Sequence, residues 1–416
     1  MKRRHFLHLA LTATTSACAA QWVNARPTGS SRQNPANSSS QRLIVIMLRG
    51  AVDGLNVVVP YQEAAYYQLR ETIAIPKPGQ PDGAIDLDGF FGLHPALAPL
   101  QPLWQQQSLA FVHACGSPFF TRSHFDAQTY LENGTPGDKS TPAGWMNRLL
   151  AVLPNSSPVA AISVEPTLPR ILQGSIPVIN LPANGTLLQP LPLDTPAYRD
   201  LFNQLYQDAP QLHPIYQEGR EARQILRRLI SAADPENPIL TANEIGRPTF
   251  ANNARQLAAL MVQEPQIQLA FMSIDGGWDT HVAQGGSTGA LANQLRQLAE
   301  GLKVLVDGLG SIYAETTIVV FSEFGRTVQE NLNRGTDHGY GNVLWLLGGK
   351  IRGGQVYGDW RGLATNELHQ GRFLPITTDF RDPLSTLLQT HLHLDRSRLS
   401  QVFPDFTPQS QLDFLS

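Results

Sequence analysis

Leu43-Ile44-Val45-Ile46-Met47-Leu48 is an unbroken apolar run, closed by Arg49-Gly50-Ala51-Val52-Asp53-Gly54. A strand exposed on one face alternates apolar and polar residues. A continuous run predicts a strand covered on both faces, as at the centre of a parallel sheet. Working outward, Leu109–His113, Gln268–Ile274 and Thr316–Phe321 read the same way, each followed by a loop rich in glycine or polar residues. Helical periods fill the intervals at Ala96–Gln107, His124–Glu132, Glu218–Ala233, Asn252–Gln263 and Gly289–Leu309. Strands alternating with helices predict an α/β fold, with a largely parallel central sheet and helices on both faces. In open sheets of this kind ligands bind at the carboxyl ends of the strands, so the loops after the four strands are the place to look for chemistry.

Composition narrows the functional classes. The 416 residues are 42% hydrophobic and 16% charged, with a net charge of −3, which describes a globular chain. The charges are dispersed and form no basic stripe, so no nucleic-acid partner is expected. Past the N-terminus no apolar run is long enough for a membrane span. The two cysteines are Cys18 and Cys115, so a chain that loses its N-terminus keeps one thiol and no internal disulfide.

The N-terminus reads as an address. Lys2-Arg3-Arg4-His5-Phe6-Leu7 precedes the apolar stretch Leu9 to Ala20, the pattern of a twin-arginine signal peptide. Residues 1–25 are read as that signal, 26–41 as a solvated linker, and 42–416 as the folded domain with a Pro- and Leu-rich excursion around 165–215. The twin-arginine export machinery is then a partner, and the location is periplasmic or extracellular. Cys18 offers a site for a lipid anchor, ranked second because Thr15 stands where a lipobox carries leucine.

The strand-end loops carry the candidate residues. Asp53 follows the first strand. Thr121-Arg122-Ser123-His124-Phe125-Asp126 opens a predicted helix with Ser123 at the N-cap, where a hydroxyl faces free amides and suits an anion or a nucleophile. Read locally, Ser123 is more simply a capping serine. If Gly276-Gly277-Trp278-Asp279-Thr280-His281 is extended, alternate residues project to one side, so Asp279 and His281 suit one metal. A turn with a surface histidine is an equal reading of that loop. Glu323 leaves the last strand, and Asp337-His338 sits in a glycine-flanked turn. His94, before Pro95, is read as capping a helix rather than binding a ligand.

Seven segments together resemble a known exported family, the "domain of unknown function 1501". They are residues 48–56, 92–100, 121–126, 277–281, 322–327, 336–339 and 356–360. The resemblance places the chain in the alkaline-phosphatase-like superfamily of phosphatases and sulfatases. It implies a metal-dependent hydrolase of a small anionic phosphate or sulfate ester, with one or two divalent ions, Zn or Mn. By the same resemblance Ser123 is the nucleophile and Arg122 or Arg326 holds anionic oxygens. Asp53, Asp279, His281, Glu323, Asp337 and His338 are the metal-site residues, with Asp337 or His124 as a proton shuttle. The spacing departs from the superfamily, since His281 stands two residues after Asp279 rather than four, and Glu323 replaces an aspartate. The alternative implied by these departures is a non-catalytic envelope binding or assembly protein that keeps the hydrolase fold.

Overall fold

The computed structural model describes residues 41–409, apart from 155–156, 158, 182–194, 208, 210 and 232–248, together with 412–415. The predicted signal and nearly all of the predicted linker lie outside the described residues, as do the centre of the predicted excursion and the last two residues of the helix predicted over 218–233.

The run read as a central strand is β1, Arg42–Arg49. It pairs in parallel with two later strands, Leu269–Asp275 and Thr316–Ser322, with Ile44 beside both Ala270 and Ile318. In chain order the sheet comprises β1, β2 (Leu109–Gly116), β3 (Ala161–Ser163), β4 (Ile179–Asn180), β5 (Leu269–Asp275), β6 (Thr316–Ser322), β7 (Asn342–Gly348), β8 (Gln355–Tyr357) and β9 (Thr378–Asp379). Their order across the sheet is β8-β2-β7-β6-β1-β5-β3-β4, with β9 also on β2. Every pairing is parallel except the two made by β7, which runs against β2 and β6.

Period-two geometry explains the two-sided core. Along β1, Ile44, Ile46 and Leu48 enter one apolar cluster, and Leu43, Val45 and Met47 enter the other. The first face is covered by the helices Phe250–Gln263 and Ala290–Leu309, and the second by Trp145–Val152, Arg381–Thr390 and Arg396–Val402. All six β1 side chains are fully buried, and each contributes about 1.5–3 kcal/mol of transfer free energy. The α/β class expected from the sequence is the class observed.

Two local readings differ. The helix predicted over 96–107 is a 3-10 segment, Pro95–Leu100, followed by a short α-helix, Gln101–Gln105. Pro99 and Pro102 each remove a backbone donor and so prevent one continuous α-helix. Strand β7 is the second difference. Because it returns antiparallel from β6, residues 323–341 form a hairpin whose two ends both lie at the carboxyl edge of the sheet. That single reversal keeps Asp337 and His338 at the edge where Glu323 and Arg326 leave β6 and which the loops after β1, β2 and β5 also reach.

Candidate metal centre

Three histidines and one aspartate meet at that edge, each delivered by its own local device. Ser123 has extended backbone and caps helix α1, His124–Asn133, so His124 is the first helical residue. One turn on, Gln128 shares its face. After β5, Gly276 and Gly277 both adopt positive φ, which glycine tolerates, and buried Trp278 anchors the turn. Thr280 N then donates to Trp278 O and His281 N to Asp279 O, so the chain turns tightly between the two side chains. In the hairpin, Arg326 and His338 face each other across a single bridge. A Cβ on Gly339 would stand 2.4 Å from Arg326 O, so only glycine allows the two strands of the hairpin to approach this closely.

His124 Nε2 lies 3.1 Å from His338 Nε2, and His281 Nε2 lies 3.0 Å from the same atom. Asp279 Oδ1 is 3.1 Å from both His338 Nε2 and His281 Nε2, and its Oδ2 is 3.5 Å from His124 Nε2. Each ring's other nitrogen has an acceptor. His124 Nδ1 donates to Glu323 at 2.8 Å, His281 Nδ1 to Asp337 at 3.3 Å, and His338 Nδ1 to the Arg122 carbonyl at 2.9 Å. A neutral imidazole whose Nδ1 donates presents a bare lone pair at Nε2. Here three such lone pairs and a carboxylate face one another, an arrangement that repels itself unless a proton or a cation sits among them.

The charges are consistent with this. His124 is shifted upward, chiefly by the hydrogen bond to Glu323 and against the effect of burial. His338 is shifted downward by burial. Burial works against the charge on Asp279, but Arg326 and the His338 hydrogen bond outweigh it and hold the carboxyl below its usual range. His124, Asp279 and His338 satisfy the geometry of a cation site, with His281 adjoining through the latter two. Tetrahedral donors about 2 Å from a zinc-sized ion stand roughly 3.3 Å from one another, which the observed separations match. The residues present therefore fit a divalent metal.

The other predicted residues fall around this cluster. Glu323 is buried and accepts from His124, Gln128, the Gly50 amide and Ser322, so it holds His124 from behind. Asp337 likewise backs His281 and accepts from Asn331 and Arg372. Arg326 is fully buried, with Nη2 2.8 Å from Asp279 Oδ1 but off the N–H direction, so it acts on Asp279 as a charge and does not reach solvent. Asp53 stands apart from the histidines. Both its oxygens are taken by Arg70, at 2.6 and 3.0 Å, and Gln284 donates to it as well. Ser123 is exposed, and its Oγ accepts from Asp126 N at 3.4 Å. Arg122 is exposed, its guanidinium 5.7 Å over the Phe373 ring.

Two contributors differ from the sequence reading, one in its role and one in being missed. His124 was read as a shuttle rather than a donor in the cluster, although its spacing of four from Gln128 places both on one helix face. Arg372, which braces Asp337, carries no local signal at all. His94, by contrast, is buried and accepts from Ala96 N at 3.0 Å, as a capping residue does.

Fold and site together define a mixed α/β protein with a histidine and carboxylate centre at the carboxyl edge of a largely parallel sheet. The chain belongs to the family described as Protein of unknown function (DUF1501), whose model matches residues 40–403. No curated protein matches it. Among solved structures it is similar to the C-terminal periplasmic domain of EcEptC from Escherichia coli in complex with Zn, at 11% identity over 76% of this chain and 74% of that one, with a TM-score of 0.36. The lipoteichoic acid synthase LtaP from Listeria monocytogenes aligns at 9% identity over 86% and 73% of the two chains, with a TM-score of 0.37. The PsFucS1 sulfatase from Pseudoalteromonas sp. aligns at 13% identity over 85% and 69%, with a TM-score of 0.34. These are loose likenesses of layout. No described helix is long and apolar enough to cross a membrane.

Proposed function

We propose that the protein is an exported, metal-dependent hydrolase of a small phosphate or sulfate ester. The observation that carries this reading is the convergence of three Nε2 lone pairs, each fixed by an acceptor at its own Nδ1, on one aspartate. His124, His338 and Asp279 would hold the ion, with His281 adjoining, and mixed imidazole and carboxylate donors suit Zn or Mn. When bound, such an ion polarises an ester oxygen and lowers the pKa of a nearby hydroxyl.

The protein's own groups supply the rest. Ser123 is the proposed nucleophile; its hydroxyl sits in solvent at the start of α1, adjacent in sequence to His124. Its attack on phosphorus or sulfur would displace the alcohol, and water would then free the serine. Arg122, exposed one residue earlier, is the proposed clamp for the anionic oxygens. Arg326 keeps Asp279 ionised, while Glu323 and Asp337 hold their histidines in one tautomer and orientation. Export by the twin-arginine route belongs to this reading, since a folded chain can carry a preloaded ion.

A specific observation favours a second reading, a non-catalytic binding protein on the same fold. Asp53 and Glu323, two of the carboxylates expected in the metal site, are already engaged within the protein. Counting metal in the purified protein by elemental mass spectrometry tests the first reading. We expect about one Zn or Mn per chain, lost in an Asp279→Ala/His338→Ala variant that stays folded. A folded wild-type chain that takes up neither metal leaves the second reading standing.

A further inference from the structure

We propose that the carboxyl edge of the sheet, with the histidine centre in its middle, docks on an anionic lipid surface. The start of α1 and two loops each place an exposed apolar side chain next to a site residue. Phe125 is 85% exposed and follows His124, Val282 is 64% exposed and follows His281, and Leu332 is wholly exposed beside Asn331. Asn331 itself donates to the His281 carbonyl and to Asp337. Single exposed apolar residues are ordinary on any surface. These three are drawn together, because Ala283 N donates to Asn333 O and Gln284 N to Arg334 O, which seats Val282 beside the Leu332 loop. The contacts of His124 with His338 and of His281 with His338 bring Phe125 to the same rim. Backbone bonding of this kind means the tips are presented rather than left over.

Charge identifies the occupant. Three acids of this rim are paired with cations: Asp279 with Arg326, Asp337 with Arg372, and Asp126 with Lys139. Glu330 accepts from Thr72. Arg122 and Arg334 are both exposed and have no acidic partner among the described residues. Apolar tips flanked by unmatched arginines suit a surface with an apolar layer under an anionic one, where the side chains enter the acyl boundary and the guanidinium groups meet head-group phosphates. A soluble protein partner would need a complementary groove for Phe125, Val282 and Leu332, and a neutral surface would leave both arginines unmatched.

Vesicle flotation of the full chain tests this without any assay of hydrolysis. Vesicles of equimolar phosphatidylglycerol and phosphatidylcholine are compared with phosphatidylcholine alone. Wild type, Phe125→Ser/Leu332→Ser and Arg122→Gln/Arg334→Gln variants carry the same N-terminal segment, so that segment cancels from the comparison. We expect wild type to float with the anionic vesicles and to be released by salt. Each double variant should lose roughly tenfold or more in partitioning. The substituted side chains are exposed, so unchanged melting curves verify that the variants remain folded. Equal flotation of wild type and both variants, or equal flotation with neutral and anionic vesicles, overturns the proposal.

Discussion

The imidazoles of His124, His281 and His338 differ in what stands behind them, and the consequences can be assigned residue by residue. A buried glutamate holds His124, a half-exposed aspartate holds His281, and only a peptide carbonyl holds His338. Acceptors of this kind fix the tautomer and raise ligand basicity, and losing one costs about 10–100-fold in metal affinity. Glu323→Gln keeps the size of the side chain but removes the charge facing His124. It should weaken metal binding by about that factor in a competition titration against a fluorescent chelator. Asp126→Asn is the matched control, because Asp126 pairs with Lys139 outside the cluster, and it should leave the affinity unchanged. A Glu323→Gln protein that binds metal as tightly as wild type would mean that His124 is not a ligand.

At the scale of elements, α1 has two roles that mutation can separate. Ser123 caps it, and the stripe His124, Gln128 and Glu132 faces Glu323 and Arg49. Removing the cap as Ser123→Ala should lower stability by about 1 kcal/mol in urea denaturation. If Ser123 is also the nucleophile, the same variant should lose ester hydrolysis by several orders of magnitude while keeping its metal. A variant that retains hydrolysis would restrict Ser123 to capping. The helix was legible because capping serine and apolar period agree in the sequence. Strand β7 was not, since nothing local in Asn342–Gly348 reveals that its neighbours run the other way. It lies between β2 and β6 and runs against both, and that direction is what returns His338 to the centre.

Across the whole molecule, buried neutral histidines link stability to pH. His94 and His113 are pushed down to about 4 by burial. Unfolded, they titrate near 6.5, so below about that pH the unfolded chain takes up protons that the folded one cannot. Their stabilisation is complete above pH 6.5 and is lost as pH falls through the window toward 4. Glu165 is pushed up to about 7 by burial, so its proton favours the folded state over much of the same range and offsets part of this loss. Unfolding free energies from urea titrations near pH 7.5 and near pH 5 should therefore differ less in His113→Gln than in wild type, by about 2 kcal/mol for the one histidine. An unchanged pH dependence in that variant would show that His113 is protonated in the fold or does not differ from the unfolded chain.

The sequence by itself determined the α/β class, the central strand, the capped helix and most of the strand-end residues. Periodicity, capping and turn chemistry act over a few neighbours and can be read there. Tertiary structure decided which candidates meet. Asp53 and Asp279 look equivalent along the chain, each an aspartate within two residues of a glycine in a loop after a buried strand. Arg70 and Gln284 occupy the first, from 17 and 231 positions away. The second is left facing three histidines, one from its own loop, one from the start of α1 and one from the 323–341 hairpin. Carboxylates are distinguished by the charges and donors packed around them, and those arrive from parts of the chain that no local pattern connects.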